Sequence, residues 1–116
     1  PGAALLAKLA EGKGFKGDDP YVPEAYDESA ILLLAMQSAG STDPAVYKSH
    51  IEKVANAPGE KIFPGELAKA LKILADGGDI DYVGGTALEL IAPGESAGSF
   101  RETTIADGKW KTVGYQ

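Results

Sequence analysis

Apolar residues recur at helical spacing through residues 1–79, and from residue 80 the period changes toward strand-like alternation. AALLAKLAE (3–11) consists of helix formers, with Gly12 and Gly14 placed to end it. Residues 12–25 are rich in Gly, Asp and Pro and read as a connection, in which Pro20 and Pro23 exclude a regular element. The strongest helical pattern follows in DESAILLLAMQSA (27–39): Asp27, Glu28 and Ser29 supply capping oxygens and negative charge, and Gly40 supplies the stop. Its middle, Ile31–Met36, is apolar on every face, which predicts burial on more than one side. Asp43-Pro44 opens a third helix to about Ala55, with Ala45, Val46, Ile51 and Val54 on its inner side. After the turn APGE (57–60), Leu67, Ala70, Leu71 and Leu74 predict a fourth helix over 65–76, which Gly77-Gly78 end.

TALELI (86–91) reads as a strand, and a second APGE (92–95) as another turn. GSFRETTIA and KWKTVGY flank Asp107-Gly108, the signature of a two-residue type I′ hairpin, which sets Ile105 beside Trp110 and Thr103 beside Thr112. No segment before residue 80 reads as the buried parallel strand that such helices normally cover. Helix 27–39 has more apolar surface than three short partners can bury, so the helices are expected to pack on a sheet the chain does not contain.

Composition narrows the chemistry. With a net charge of −6 and scattered lysines, nucleic acid is not an expected partner. There is no cysteine, hence no disulfide or thiolate metal site. GGDIDYVGGT (77–86) is rich in glycine, but Tyr82 and Val83 stand where a phosphate loop needs its second glycine and no lysine precedes Thr86, so it is not read as a phosphate site. His50 has no partner at triad or metal-site spacing, and Asp79-x-Asp81 offers only two of the oxygens a calcium loop needs. Ser29, Ser41 and Ser99 lack a nucleophile elbow, so neither an enzyme nor a cofactor is expected. Trp110 and Tyr115 read as packing residues. Tyr26-Asp27 keeps two readings open: a tyrosine and a carboxylate facing the ammonium or hydroxyl of a ligand, or a packing ring beside a helix cap.

YVPEAYDESAILLLAMQSAGSTDPA, the following APGEKIFPGELAKALKILADGGDIDYVGGTALELIAPGESAGSF and the closing DGKW together resemble the late part of periplasmic substrate-binding proteins of the branched-chain amino acid and amide type. Glu28-Ser29 departs from the small or apolar residues usual at that point. The resemblance implies an α/β fold, part of a two-lobed type I periplasmic-binding-protein architecture. Residues 1–83 would be the last helices of the first lobe, and 84–116 an interlobe crossover strand and C-terminal hairpin. It further implies hinge closure about Gly84, Gly85 and Thr86, an amino acid-like ligand with Tyr26 and Asp27 as its candidate contacts here, and delivery to an ABC permease outside the cytoplasmic membrane. Proteins of this type are several times longer, so the chain, which begins at Pro1, is expected to be a C-terminal fragment whose partner is the missing N-terminal part. A cytoplasmic ligand sensor on the same fold and a stand-alone interaction module are the alternatives.

Overall fold

A computed structural model describes residues 1–91 and 94–116; Ala92 and Pro93, half of the second APGE turn, lie outside the described residues. The first helix, α1, runs Gly2–Ala10. The second, α2, is Val22–Ala39, five residues longer at its start than the sequence pattern predicts. Pro23 does not exclude it, because a proline in the first turn lacks an amide that would have had no helical partner. Gly40 ends it as expected, in the left-handed conformation with φ +61°.

The third helical stretch is broken into α3 (Pro44–Tyr47), a 3-10 turn at Lys48–His50 and α4 (Ile51–Ala55). Asp43 caps α3 through the Ala45 amide, the role its position predicts. The break turns Ala45 and Val46 outward, so the expected inner face is carried by Val54, with Tyr47 and Ile51 packed beside it. In α5 (Leu67–Ala75), Ala70 and Leu74 are buried and Leu67 half-buried, whereas Leu71 is exposed and Ile73 takes its place against the core.

The expectation that no parallel strand precedes residue 80 is wrong, and residues 80–82, which the sequence pattern leaves unassigned, are extended as well. Strands β1 (Glu60–Ile62) and β2 (Ile80–Tyr82) pair in parallel through Glu60↔Ile80, Lys61↔Asp81 and Ile62↔Tyr82, with α5 as the crossover. Three residues are too few to display a period, and all three of β2 are buried, so no alternation marks it. The core lies where α2, α4 and α5 meet this pair: Ala30, Ile31, Leu34, Ala35, Val54, Ala55, Ile62, Ala70, Leu74, Ile80 and Tyr82. Full burial of Leu34, Ile62 and Ile80 contributes about 1.5–3 kcal/mol each.

Of the predicted strand 86–91 only β3, Glu89–Ile91, is extended; it pairs antiparallel with β4, Glu95–Ala97. The hairpin of β5 (Arg101–Ala106) and β6 (Lys109–Tyr115) has the predicted register, Ile105↔Trp110 and Thr103↔Thr112, and both turn residues have positive φ, 52° at Asp107 and 71° at Gly108. A bulge between Glu102 and Thr103 opposes two residues of β6. Trp110 and Tyr115 do not pack as expected: they are 75% and 73% exposed, because among the described residues nothing covers that face of the hairpin.

Candidate functional site

The second glycine pair of GGDIDYVGGT does cradle an anion, and the anion is the chain's own Asp27. The Gly85 amide (2.8 Å) and the Tyr82 hydroxyl (2.9 Å) donate to Oδ1. Oδ2 receives the Thr86 amide (2.8 Å) and the Thr86 hydroxyl (2.7 Å). Asp27 is 2% exposed. Burial of a lone carboxylate is costly, and here four donors replace its hydration without a cation.

Each part of this clamp follows from local chemistry. Because α2 begins at Val22, Asp27 lies in the second turn, where its oxygens are not needed by the helix's first amides and are free to leave it. Gly84 (φ +61°) and Ala87 (φ +56°) bend the chain into a tight turn over the carboxylate. A Cβ on Gly84 would run into the Asp27 carboxylate, so glycine is required there twice, for its dihedral and for its size. The Val83 and Gly84 amides both donate to the Ile62 carbonyl, which extends the parallel pairing into the turn.

Tyr82 is the buried end of β2, and its hydroxyl is held well above the ordinary tyrosine value of 10.0, first by burial, then by the negative charge of Asp27 and the hydrogen bond to it. The phenol therefore acts as a fixed donor.

Of the two candidate ligand contacts, Tyr26 is half-buried and its hydroxyl accepts the Gly65 amide at 3.0 Å, fixing the loop ahead of α5. Gly84, Gly85 and Thr86 are brought together with Asp27, which neither the capping nor the ligand reading had paired with them. Two further residues hold the site without a motif to mark them in the sequence. Asn56 receives the Leu90 amide on Oδ1 (2.9 Å) and donates from Nδ2 to the Leu90 carbonyl (2.8 Å), splicing β3 to the end of α4. Tyr82 had no signal beyond its place next to the glycine turn. His50 keeps to a structural place, its Nδ1 lying 2.9 Å from the Ser38 hydroxyl. No three potential metal ligands cluster among the described residues.

Beside the clamp lies a cleft of about 520 Å³, floored by Ile31, Leu32, Ile51, Leu88 and Leu90 and edged by Glu24, Glu28 and the chain from Gly94 to Phe100. Its size falls in the range of small-molecule sites, about 300–1,000 Å³. The clamp sets one wall of it, since Thr86 and Leu88 hang from the turn that Asp27 holds.

Over 67 residues, 58% of its length, the chain is 30% identical to the chemotactic signal transduction system substrate-binding protein BasB of Halobacterium salinarum. The chain spans 16% of that protein's length. No family model and no solved structure matches the chain. The sequence is thus related, over somewhat more than half its length, to part of a substrate-binding protein.

Proposed function

We propose that the chain is part of an extracytoplasmic solute-binding protein of two α/β lobes, which traps an amino acid or a related small carboxylate or amide by hinge closure and presents it to an ABC importer. The observation that carries this reading is the similarity to a substrate-binding protein across 67 residues. Two features support it. The β1–α5–β2 unit is a parallel pair of only two strands, and parallel sheets are built from more, with helices on both faces. Leu5, Leu9, Phe15 and Leu33 are exposed, an apolar surface that further polypeptide would cover.

In this reading Gly84, Gly85 and Thr86 form the joint between the helical part and the strands that cross to the second lobe. Asp27 anchors the joint on the side of α2 and leaves ligand contact to other groups. Closure is then a swing about a clamped turn, the glycines absorbing the dihedral change while the carboxylate keeps hold of Thr86. No step of covalent chemistry is required.

The relative's place in a chemotactic signal transduction system favours a second reading of the output, in which a signalling receptor takes the place of the permease. The test of the shared part is a titration of the whole protein containing this chain with amino acids, short amides and short carboxylates, followed by small-angle scattering. A ligand that binds at micromolar concentration and reduces the radius of gyration is the expected result. Tight binding with no change in radius, or no ligand in any of the three classes, refutes closure or solute capture respectively. The 116-residue chain alone is expected to lack that micromolar affinity.

A further inference from the structure

One face of the hairpin looks across a groove of about 660 Å³ to the loop ahead of α2, residues 16–21. The loop wall is built rather than loose. The Lys16 amide donates to Asp19 Oδ2 at 2.8 Å, and the Asp19 amide donates back to the Lys16 carbonyl at 3.1 Å. A Cβ on Gly17 would collide with the Ala7 backbone, so the loop lies flat on α1. Tyr21 closes it with a backbone φ of +67°, a conformation that residues other than glycine seldom adopt. Its ring is 82% exposed, and Trp110 on the facing wall is 75% exposed. Two rings are thus held out on opposite walls of one groove, with their faces presented rather than packed.

Beside the rings the lining is polar, and its charges cancel. Lys16, Asp18 and Asp19 stand on the loop wall and Arg101 on the hairpin wall. These two cations and two carboxylates belong to no ion pair among the described residues. Thr103 and Thr112, opposite each other in the hairpin register, add two hydroxyls that both donate and accept.

An ion of either sign is attracted by two of these charges and repelled by the other two, so net charge selects no ligand. A wholly apolar ligand would strip water from the charged groups without replacing their hydrogen bonds. The lining suits a neutral molecule with C–H ring faces to lie on the aromatic rings and a rim of hydroxyls, each donor and acceptor at once. We infer that this groove binds a carbohydrate. A pyranose ring lies against Trp110 and Tyr21, and its hydroxyls accept from Arg101 and Lys16, donate to Asp18 and do both with the two threonines. A nucleoside also brings a flat neutral ring, but the polar groups of its base lie along the ring's edge on one side. Polar side chains on both walls match hydroxyls set all round a ring. The inference rests on the groove alone and not on the solute-binding reading above. Because the groove is open to solvent, binding is weak, in the range of about 1–50 mM.

Trp110 is the single tryptophan, so its fluorescence reports the groove directly. The 116-residue chain would be titrated with D-glucose, D-galactose, D-mannose, maltose and cellobiose, and with four comparison compounds. Sorbitol has the hydroxyls without the ring, D-glucuronate and D-glucosamine each add one charge, and uridine offers an aromatic ring. Saturable binding of at least one neutral sugar is expected, about fivefold or more tighter than sorbitol and uridine. Neither charged analogue should bind more than about threefold tighter than that sugar. Arg101→Gln and Tyr21→Ala should each weaken its binding about threefold or more, with an unchanged circular dichroism spectrum, since both side chains are exposed. No saturable response to any of the five sugars up to about 200 mM overturns the proposal, as does an affinity unaltered in both variants. So does sorbitol or uridine binding within about fivefold of the sugars, or a charged analogue above the threefold limit. Such a failure leaves solute capture by the whole protein untouched, because that is read from closure and not from Trp110.

Discussion

Replacing Asp27 by asparagine keeps the shape of the side chain and removes one acceptor oxygen and the charge. With Oδ1 retained toward Tyr82 and Gly85, the new amide nitrogen faces the Thr86 amide and hydroxyl. The hydroxyl can rotate and accept, but the Thr86 amide then meets a second donor. An unsatisfied buried amide costs about 1–3 kcal/mol, and the loss of charge assistance weakens the remaining bonds by roughly 0.5–1 kcal/mol each. The sum over the stranded amide and the two bonds left on Oδ1 is about 2–5 kcal/mol, a large part of the roughly 5–15 kcal/mol that holds a domain together. For a chain of this length that lowers the melting temperature by about 8–20 °C. The assay is thermal and urea unfolding followed by circular dichroism, with exchange of the Gly85 and Thr86 amides as a local reading. The flipped rotamer, with nitrogen toward Gly85, strands that amide instead and costs a similar amount, so the expectation does not depend on which way the amide turns. A variant within about 1 kcal/mol of the parent, with both amides still protected, would refute the idea that the clamp holds the turn.

Gly84→Ala should cost well over the roughly 1–2 kcal/mol of a left-handed backbone, since its Cβ enters the Asp27 carboxylate, whereas Gly108→Ala, with open space around it, should cost only the conformational part; equal losses in chemical denaturation would contradict this. Tyr82→Phe removes one charge-assisted bond and should destabilise by about 1.5–3 kcal/mol at neutral pH. The folded-state pKa of Tyr82 is raised, so the stability it contributes is intact below its ordinary value of 10.0 and is lost as pH climbs above it, by up to about 1.4 kcal/mol per pH unit. Urea midpoints should therefore fall above pH 10 in the parent and less steeply in Tyr82→Phe, and parallel curves would exclude the effect. Asn56→Ala should release β3 while leaving the β1–β2 core in place, seen as fast exchange at the Leu90 amide with slow exchange retained at Ile80 and Tyr82.

The chain's punctuation is written in its nearest neighbours. Gly40 stops α2, Asp43-Pro44 starts α3, and Asp107-Gly108 turns the final hairpin in the register that its alternation dictates. These are choices among a few local dihedral states, and one or two side chains settle each. The start of α2 is not legible in the sequence, because a proline has opposite meanings in a first turn and in a helix interior, and only the packed helix tells which position Pro23 holds.

What the tertiary structure decided depends on groups far apart in the chain. β1 and β2 pair residues twenty positions apart in segments too short to carry a period, so their strand character comes from each other and from the helices that bury them. Asp27 looks like a helix cap because its neighbours are those of a cap. Its actual partners lie 55 to 59 residues away, and only the fold brings them within hydrogen-bonding distance of a carboxylate that would otherwise be too costly to bury. Sequence gives Gly84-Gly85-Thr86 no anion to hold, and only the folded chain supplies one: the anion is built in.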